Sequence, residues 1–347
     1  MGLNKRLIDQ AGGGSEPSSP LDIATWTGDG NDNRQISVSN NPDFVIVKRR
    51  SFLSSWLWNY EDGSNIKFLS SNNANEASDA GDGVKSLNDG SFTLGTGGLA
   101  NDNGQTCVGY SFQGGGSYVS NTDGSITSQV SANQDSGFSI VKWTGNSTAG
   151  ATIGTGLSLP SQLIIIKNLN VVGGSSKNWT VYAEPLGNTD YLYLNSTGQA
   201  QTYNFWNNTS PVSDKFTVSS DTNVNSSSGN YIAYCFHSVD GYQKIGSYTG
   251  TGTTSSFTGF GFQPRFIMIK RTDASSNWWI FDSERGNNKG LRPNLINGDD
   301  TTDANGNTYE YRINFISDGF QYEIDNSTSP HPDLNAHQVN YVYLAIA

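Results

Sequence analysis

The sequence has little of what most active sites are built from. Three histidines, two cysteines and two methionines are spread over 347 residues, and charged side chains make up only 15%. Cys107 and Cys235 stand at inequivalent places in the chain, which excludes a disulfide framework. Both are expected to be reduced and buried, in keeping with assembly in a reducing compartment. No apolar run approaches the ~20 residues that a membrane-crossing helix needs, and no secretory leader is visible. The opening Met1-Gly2 lacks the Ser or Thr that acylation wants at position 6, where Arg6 stands. Nucleophile elbow, P-loop, dinucleotide fingerprint and HExxH are all missing. A net charge of −11 argues against nucleic acid, because phosphate binding needs clustered Lys and Arg.

What is present is glycine, serine, threonine, asparagine and aromatic side chains, the last at 12%. Short apolar runs alternate with Gly/Asn/Asp/Ser clusters, a pattern of strands and turns. The runs recur. A tryptophan, a leucine and an asparagine follow one another at one fixed spacing, as Trp56/Leu69/Asn72, Trp179/Leu192/Asn195 and Trp278/Leu291/Asn294. Before each set comes an aromatic-Thr-Gly turn (Trp26, Trp143, Tyr248), then an apolar run ending in Lys48, Lys167 or Lys270 at a nearly constant distance from that turn. Each repeat closes on a matching strand, with Cys107, Tyr231 and Tyr341 equivalent. These spacings predict an all-β chain of three tandem β-sandwich repeats, jelly-roll or lectin-like, at 22–117, 118–240 and 241–347. The stretch before repeat two carries Ile126 and Val130 among polar residues, which predicts an extra strand or strap. Residues 1–21 read as a short helical or docking peptide and a Gly/Ser/Pro linker. Leu3, Lys5, Arg6, Leu7 and Ile8 are the candidate anchor.

Strand alternation sorts the aromatics. Trp56 and Trp58, Trp179 and Val181, Trp278 and Ile280 share one face and are large in every copy, so they belong to the core. The opposite face varies, and Trp279 and Phe281 are expected to point away from that core, as an interface or a sugar contact. Trp206, in FWNNTSP beside Asn207 and Asn208, is either a sugar-stacking residue or a plug at the end of a sandwich.

The candidates for chemistry are thin. His237, His331 and His337 lack the cysteine or carboxylate partners of a metal site. The acidic loops GDGNDN (28–33) and NGDDTTDANGN (297–307) offer oxygen ligands but no EF-hand pattern, and read as solvated turns. A glycosidase would need two facing carboxylates. Asp282, Glu284 and Glu184 are acidic residues in or just after tryptophan strands, with nothing to show that any two converge. The reading is non-enzymatic, with no metal and no cofactor.

The phrases GFSIVKWTGNSTAGATIGTGL, PSQLIIIKN, NYIAYCFHSVDGYQKIGSYTGTG and GFQPRFIMIKRTDASSNWWIFDSERG resemble a repeat family in structural proteins of tailed bacteriophages, commonest in phages of marine and cyanobacterial hosts. The likeness runs from about Trp26 onward and is weakest in repeat one, which has LWNYEDG where repeat three has WIFDSERG. It implies a virion location, after assembly in the host cytoplasm, and a structural or adhesive role, with no catalytic residues to carry over. The expected function is a tail-fibre-like adhesin, held to other virion proteins by its N-terminus and presenting β-repeats to the host surface, where a cell-surface glycan is one candidate partner. A capsid decoration or head-fibre protein is the alternative, and a glycan depolymerase a third. A homo-oligomer is expected, with a trimer as the form usual for fibres.

Overall fold

The computed structural model describes residues 19–171, 174–299, 311–324 and 331–347. It is nearly all β, as the turn-punctuated apolar runs require. Two helical turns stand among the described residues, Glu184–Leu186 and Pro332–Asn335. The anchor candidates Leu3, Lys5, Arg6, Leu7 and Ile8 lie outside the described residues, as does most of the second acidic loop.

One strand order occurs three times. In the first segment Leu21–Thr27, Thr106–Phe112, Phe44–Arg49 and Leu57–Asp62 lie side by side, all antiparallel. In the second the order is Phe138–Thr144, Asn230–Phe236, Leu163–Asn168 and Thr180–Ala183. In the third it is Gln243–Thr249, Asn340–Ile346, Phe266–Arg271 and Trp278–Asp282. The registers agree: Trp26 faces Cys107, Trp143 faces Tyr231, and Tyr248 faces Tyr341. The strap is a real hairpin. Val119–Asn121 and Ser128–Asn133 extend the second sheet beyond Phe138–Thr144, an edge that stays unextended in the other two among the described residues.

The three sheets turn one face each toward a common core. Trp56, Trp58, Trp179, Val181, Trp278 and Ile280 all belong to it, together with Leu69, Leu192 and Leu291. The spaced tryptophans and leucines are thus the centre of the molecule. At one end of this core Phe112 packs on Phe138, Phe236 and Phe266, with ring centroids 5.5 to 6.4 Å apart. Phe112 pairs with Leu21 and Phe266 with Ile346, so the first and last strands both reach this phenyl end.

The outer face of each sheet is covered as well. Small sheets lie over it: Arg34–Ser37, Ser91–Leu94 and Val84–Asn88; Ala151–Gly154 and Lys215–Val218; Ser255–Thr258, Gly319–Ile324 and Tyr311–Ile316. Each encloses its own apolar cluster. This corrects the expectation for Trp279 and Phe281. They do point away from the shared core, but into a second one, and both are fully buried. A sheet with apolar residues on both faces needs cover on both.

Candidate functional site

At the end opposite the phenyl cluster, the tryptophan signature ties neighbouring segments together. Within each segment the asparagine side chain accepts the tryptophan's backbone N–H at 3.0 Å: Asn72 from Trp56, Asn195 from Trp179, Asn294 from Trp278. That bond fixes the turn that holds the asparagine, and the turn then serves another segment. The Trp56 indole N–H donates to the carbonyls of Arg292 and Leu295 in the third. Trp179 donates to Ser70 and Asn73 in the first. Trp278 donates to Tyr193 in the second. The order closes into a ring: first to third, third to second, second to first.

The lysines that end the apolar runs follow the same ring. Lys48 Nζ donates to Ser54 in its own loop and to Ile296 across the junction, at 2.5 and 2.8 Å. Lys167 donates to Asn168 and Lys177 in its own segment and to Ala74 across. Lys270 donates to Ser276 and, across, to Thr197. All three are wholly buried. Burial pulls the Lys48 ammonium down to about 7 and those of Lys167 and Lys270 to about 8. A buried ammonium is tolerable here because carbonyl oxygens satisfy its protons.

A second recurring set was not read from the sequence. Asn101, Asn225 and Asn335 are buried, each at the same distance before the equivalent Cys107, Tyr231 and Tyr341. Asn225 accepts the N–H of Asn146 and donates to the Thr148 carbonyl; Asn335 does the same with Thr251 and Thr253. This explains the glycine after each aromatic-Thr pair. A Cβ at Gly28, Gly145 or Gly250 would collide with the carbonyl oxygen of Asp102, Ser226 or Ala336.

The junction of first and third segments carries an ionic network that the other two do not repeat in kind among the described residues. Arg285 bonds Asp282 and Asp299, Arg50 pairs with Asp299 at 2.7 Å, and Tyr110 donates to Asp282 at 2.7 Å. Asp282, a residue weighed for sugar hydrolysis, is fully buried in this network. Glu284 meets Arg265, and Glu184 accepts from Gln162.

Trp206 is also buried. Its indole N–H donates to the Asp190 carbonyl and its ring packs edge-on against Tyr182. It plugs the second segment's outer core, which corrects its candidacy as a sugar contact. The three histidines serve local structure: His237 and His337 contact the Ser238 and Thr251 carbonyls, and His331 accepts the Asp333 N–H at the start of a helical turn. No cluster of three or more metal-binding side chains occurs among the described residues. In the first acidic loop Asp29 accepts the Asn31 N–H, which lowers its carboxyl, and Asp32 pairs with Lys85. Both cysteines are free and buried.

The surface carries a trough of about 600 Å³ where the strap and the second sheet face the first. Alternation along the strands builds it. Phe138, Ile140 and Ile232 fill the shared core, and the same faces continue as Lys142, Thr144 and Asn230 once they leave it. Thr127 and Gln129 of the strap join them, and Tyr60, Ala77 and Leu169 form the apolar part of the lining.

Comparison with known families bears on the whole of this arrangement. One family profile, a domain of unknown function (DUF7483), matches residues 16–347. The chain belongs to the DUF7483 family. No curated protein matches it. The DUF7483 match takes in all three sheets, the ring that ties them and the strap.

Proposed function

We propose that this chain is a non-enzymatic structural protein of a bacteriophage particle, a tail-fibre-like adhesin of three β-sandwich repeats fused round one core. The observation that carries the reading is the two-ended body. Leu21 and Ile346 lie together at the phenyl end, while the Lys-to-Trp loops gather at the other. The residues before Leu21 would attach the phenyl end to other virion proteins, leaving the far end and the flanks for the host surface. Exposed apolar residues at that far end, Phe52, Leu53 and Ile296, suit a contact surface. The internal threefold pattern also suits a seat on a threefold partner, which keeps the capsid decoration reading as the second choice.

Antibody labelling of intact particles in the electron microscope tests this. Label at the tail is the expected result, and label on capsid faces replaces the first reading with the second. Absence of the protein from purified particles refutes both.

A further inference from the structure

We propose that the trough between the strap and the first segment binds a neutral oligosaccharide chain. This deepens the adhesin reading and rests on it. Three features of the trough select that ligand class. The first is its polar lining: Thr127, Gln129, Thr144 and Asn230 are exposed, and each is a neutral hydrogen-bonding side chain of the kind that pairs with sugar hydroxyls. The second is its charge. Lys142 is paired with Asp62 at 3.3 Å and lies 4.0 Å over the Tyr118 ring, and Lys67 is paired with Asp79 at 2.7 Å. Each lysine is thus balanced by a carboxylate, so the trough has no excess charge to select an anion or a cation. The third is the partly exposed apolar carbon of Leu169 and Ala77, which rests on the shared core and against which the C–H face of a pyranose can lie.

The trough is also where the three copies differ. The hairpin that supplies Thr127 and Gln129 extends the second sheet alone among the described sheets. The position of Lys142 is Thr25 in the first copy and Ser247 in the third, set by the shared Trp26, Trp143 and Tyr248 registers. A volume of about 600 Å³ falls within the range of small-ligand sites. An open trough, unlike a closed pocket, lets a polymer pass through.

The test uses the full chain and a panel of neutral hexasaccharides (maltohexaose, cellohexaose, laminarihexaose and mannohexaose), with heparin and polyphosphate as anionic controls, measured by calorimetry. At least one neutral hexamer should bind at millimolar affinity or better. Thr127→Arg, which fills the trough from an exposed position just before the strand Ser128–Asn133, should weaken that binding at least tenfold, and Thr127→Ala with Gln129→Ala should weaken it with the melting temperature unchanged. No binding to any neutral hexamer, binding that survives Thr127→Arg, or binding of the anionic controls alone overturns the proposal. Adsorption of the two proteins to host cells separates the two levels. Equal adsorption of wild type and Thr127→Arg removes the trough and leaves the adhesin, whereas no adsorption by either removes the adhesin.

Discussion

If the ring of tryptophan bonds makes three sheets into one body, cutting a single link should weaken the whole chain. Trp179→Phe is the sharpest cut. The indole N–H is the donor that reaches Ser70 and Asn73 in the first segment, and phenylalanine keeps a ring to pack edge-on against Trp58, whose centroid lies 4.9 Å away. The lost hydrogen bond is worth about 0.5–1.5 kcal/mol, and a buried acceptor left unpaired costs about 1–3 kcal/mol. Ser70 keeps one donor, the Asn73 N–H, so the lower half of that range applies to it. The smaller ring adds on the order of 1 kcal/mol for the space it vacates. Together these give about 2.5–4.5 kcal/mol. Urea unfolding followed by fluorescence and by circular dichroism should show one coincident transition in both proteins, shifted to lower urea in the variant with its slope unchanged. Trp56→Phe and Trp278→Phe should behave alike, because each cuts an equivalent link. A wild type that unfolds in three separate steps, or a variant as stable as the wild type, would refute the argument that the ring joins the segments.

Stability should rise between pH 7 and pH 8.5. The three buried lysines have folded pKa values near 7 to 8 against about 10.5 when unfolded, so the unfolded chain binds more protons across this window and each lysine adds up to ~1.4 kcal/mol per pH unit. A melting temperature that is flat or falling from pH 7 to 8.5 would count against it. Asp282→Ala should cost about 3–5 kcal/mol by leaving Arg285 buried with only one of its two carboxylates, while Tyr110→Phe should cost only about 1 kcal/mol, since Arg285 and two backbone N–H groups still satisfy the Asp282 side chain; equal costs in thermal melts would show that the charge pair is not what matters there. Gly145→Ala should destabilise by about 1–3 kcal/mol through the clash with Ser226, and a neutral result would mean that the loop yields freely.

Much of the fold was legible because its signals are periodic. The Trp, Leu and Asn spacings mark strands and a turn that recur unchanged, and alternation assigns Trp56, Trp179 and Trp278 to a core without any knowledge of what they meet. Alternation could not say that Trp279 and Phe281 have a core of their own. Their cover comes from strands such as Gly319–Ile324, well separated along the chain, and a single strand's pattern carries no record of a distant partner. The buried lysines were hidden for a related reason. A lysine closing an apolar run reads as a strand end reaching solvent, and the carbonyls that let it stay inside come from its own loop together with the turn of another segment. Asn101, Asn225 and Asn335 could have been found, since their distance to the closing strand is constant. They were missed among the many asparagines of the chain. Trp206 shows the limit of local context: its amide neighbours suggest a sugar, but its indole is already bonded to Asp190.

The closed ring has a consequence for inheritance as well as for stability. In an assembly of three identical chains, any substitution appears three times, and an insertion that crowds one junction crowds them all. Here each junction is coded separately. One could acquire the Arg285 network, another the strap and its trough, while the third stayed plain. Set on a partner with true threefold symmetry, such a body would present three unlike flanks, and every copy would have to choose one of three orientations.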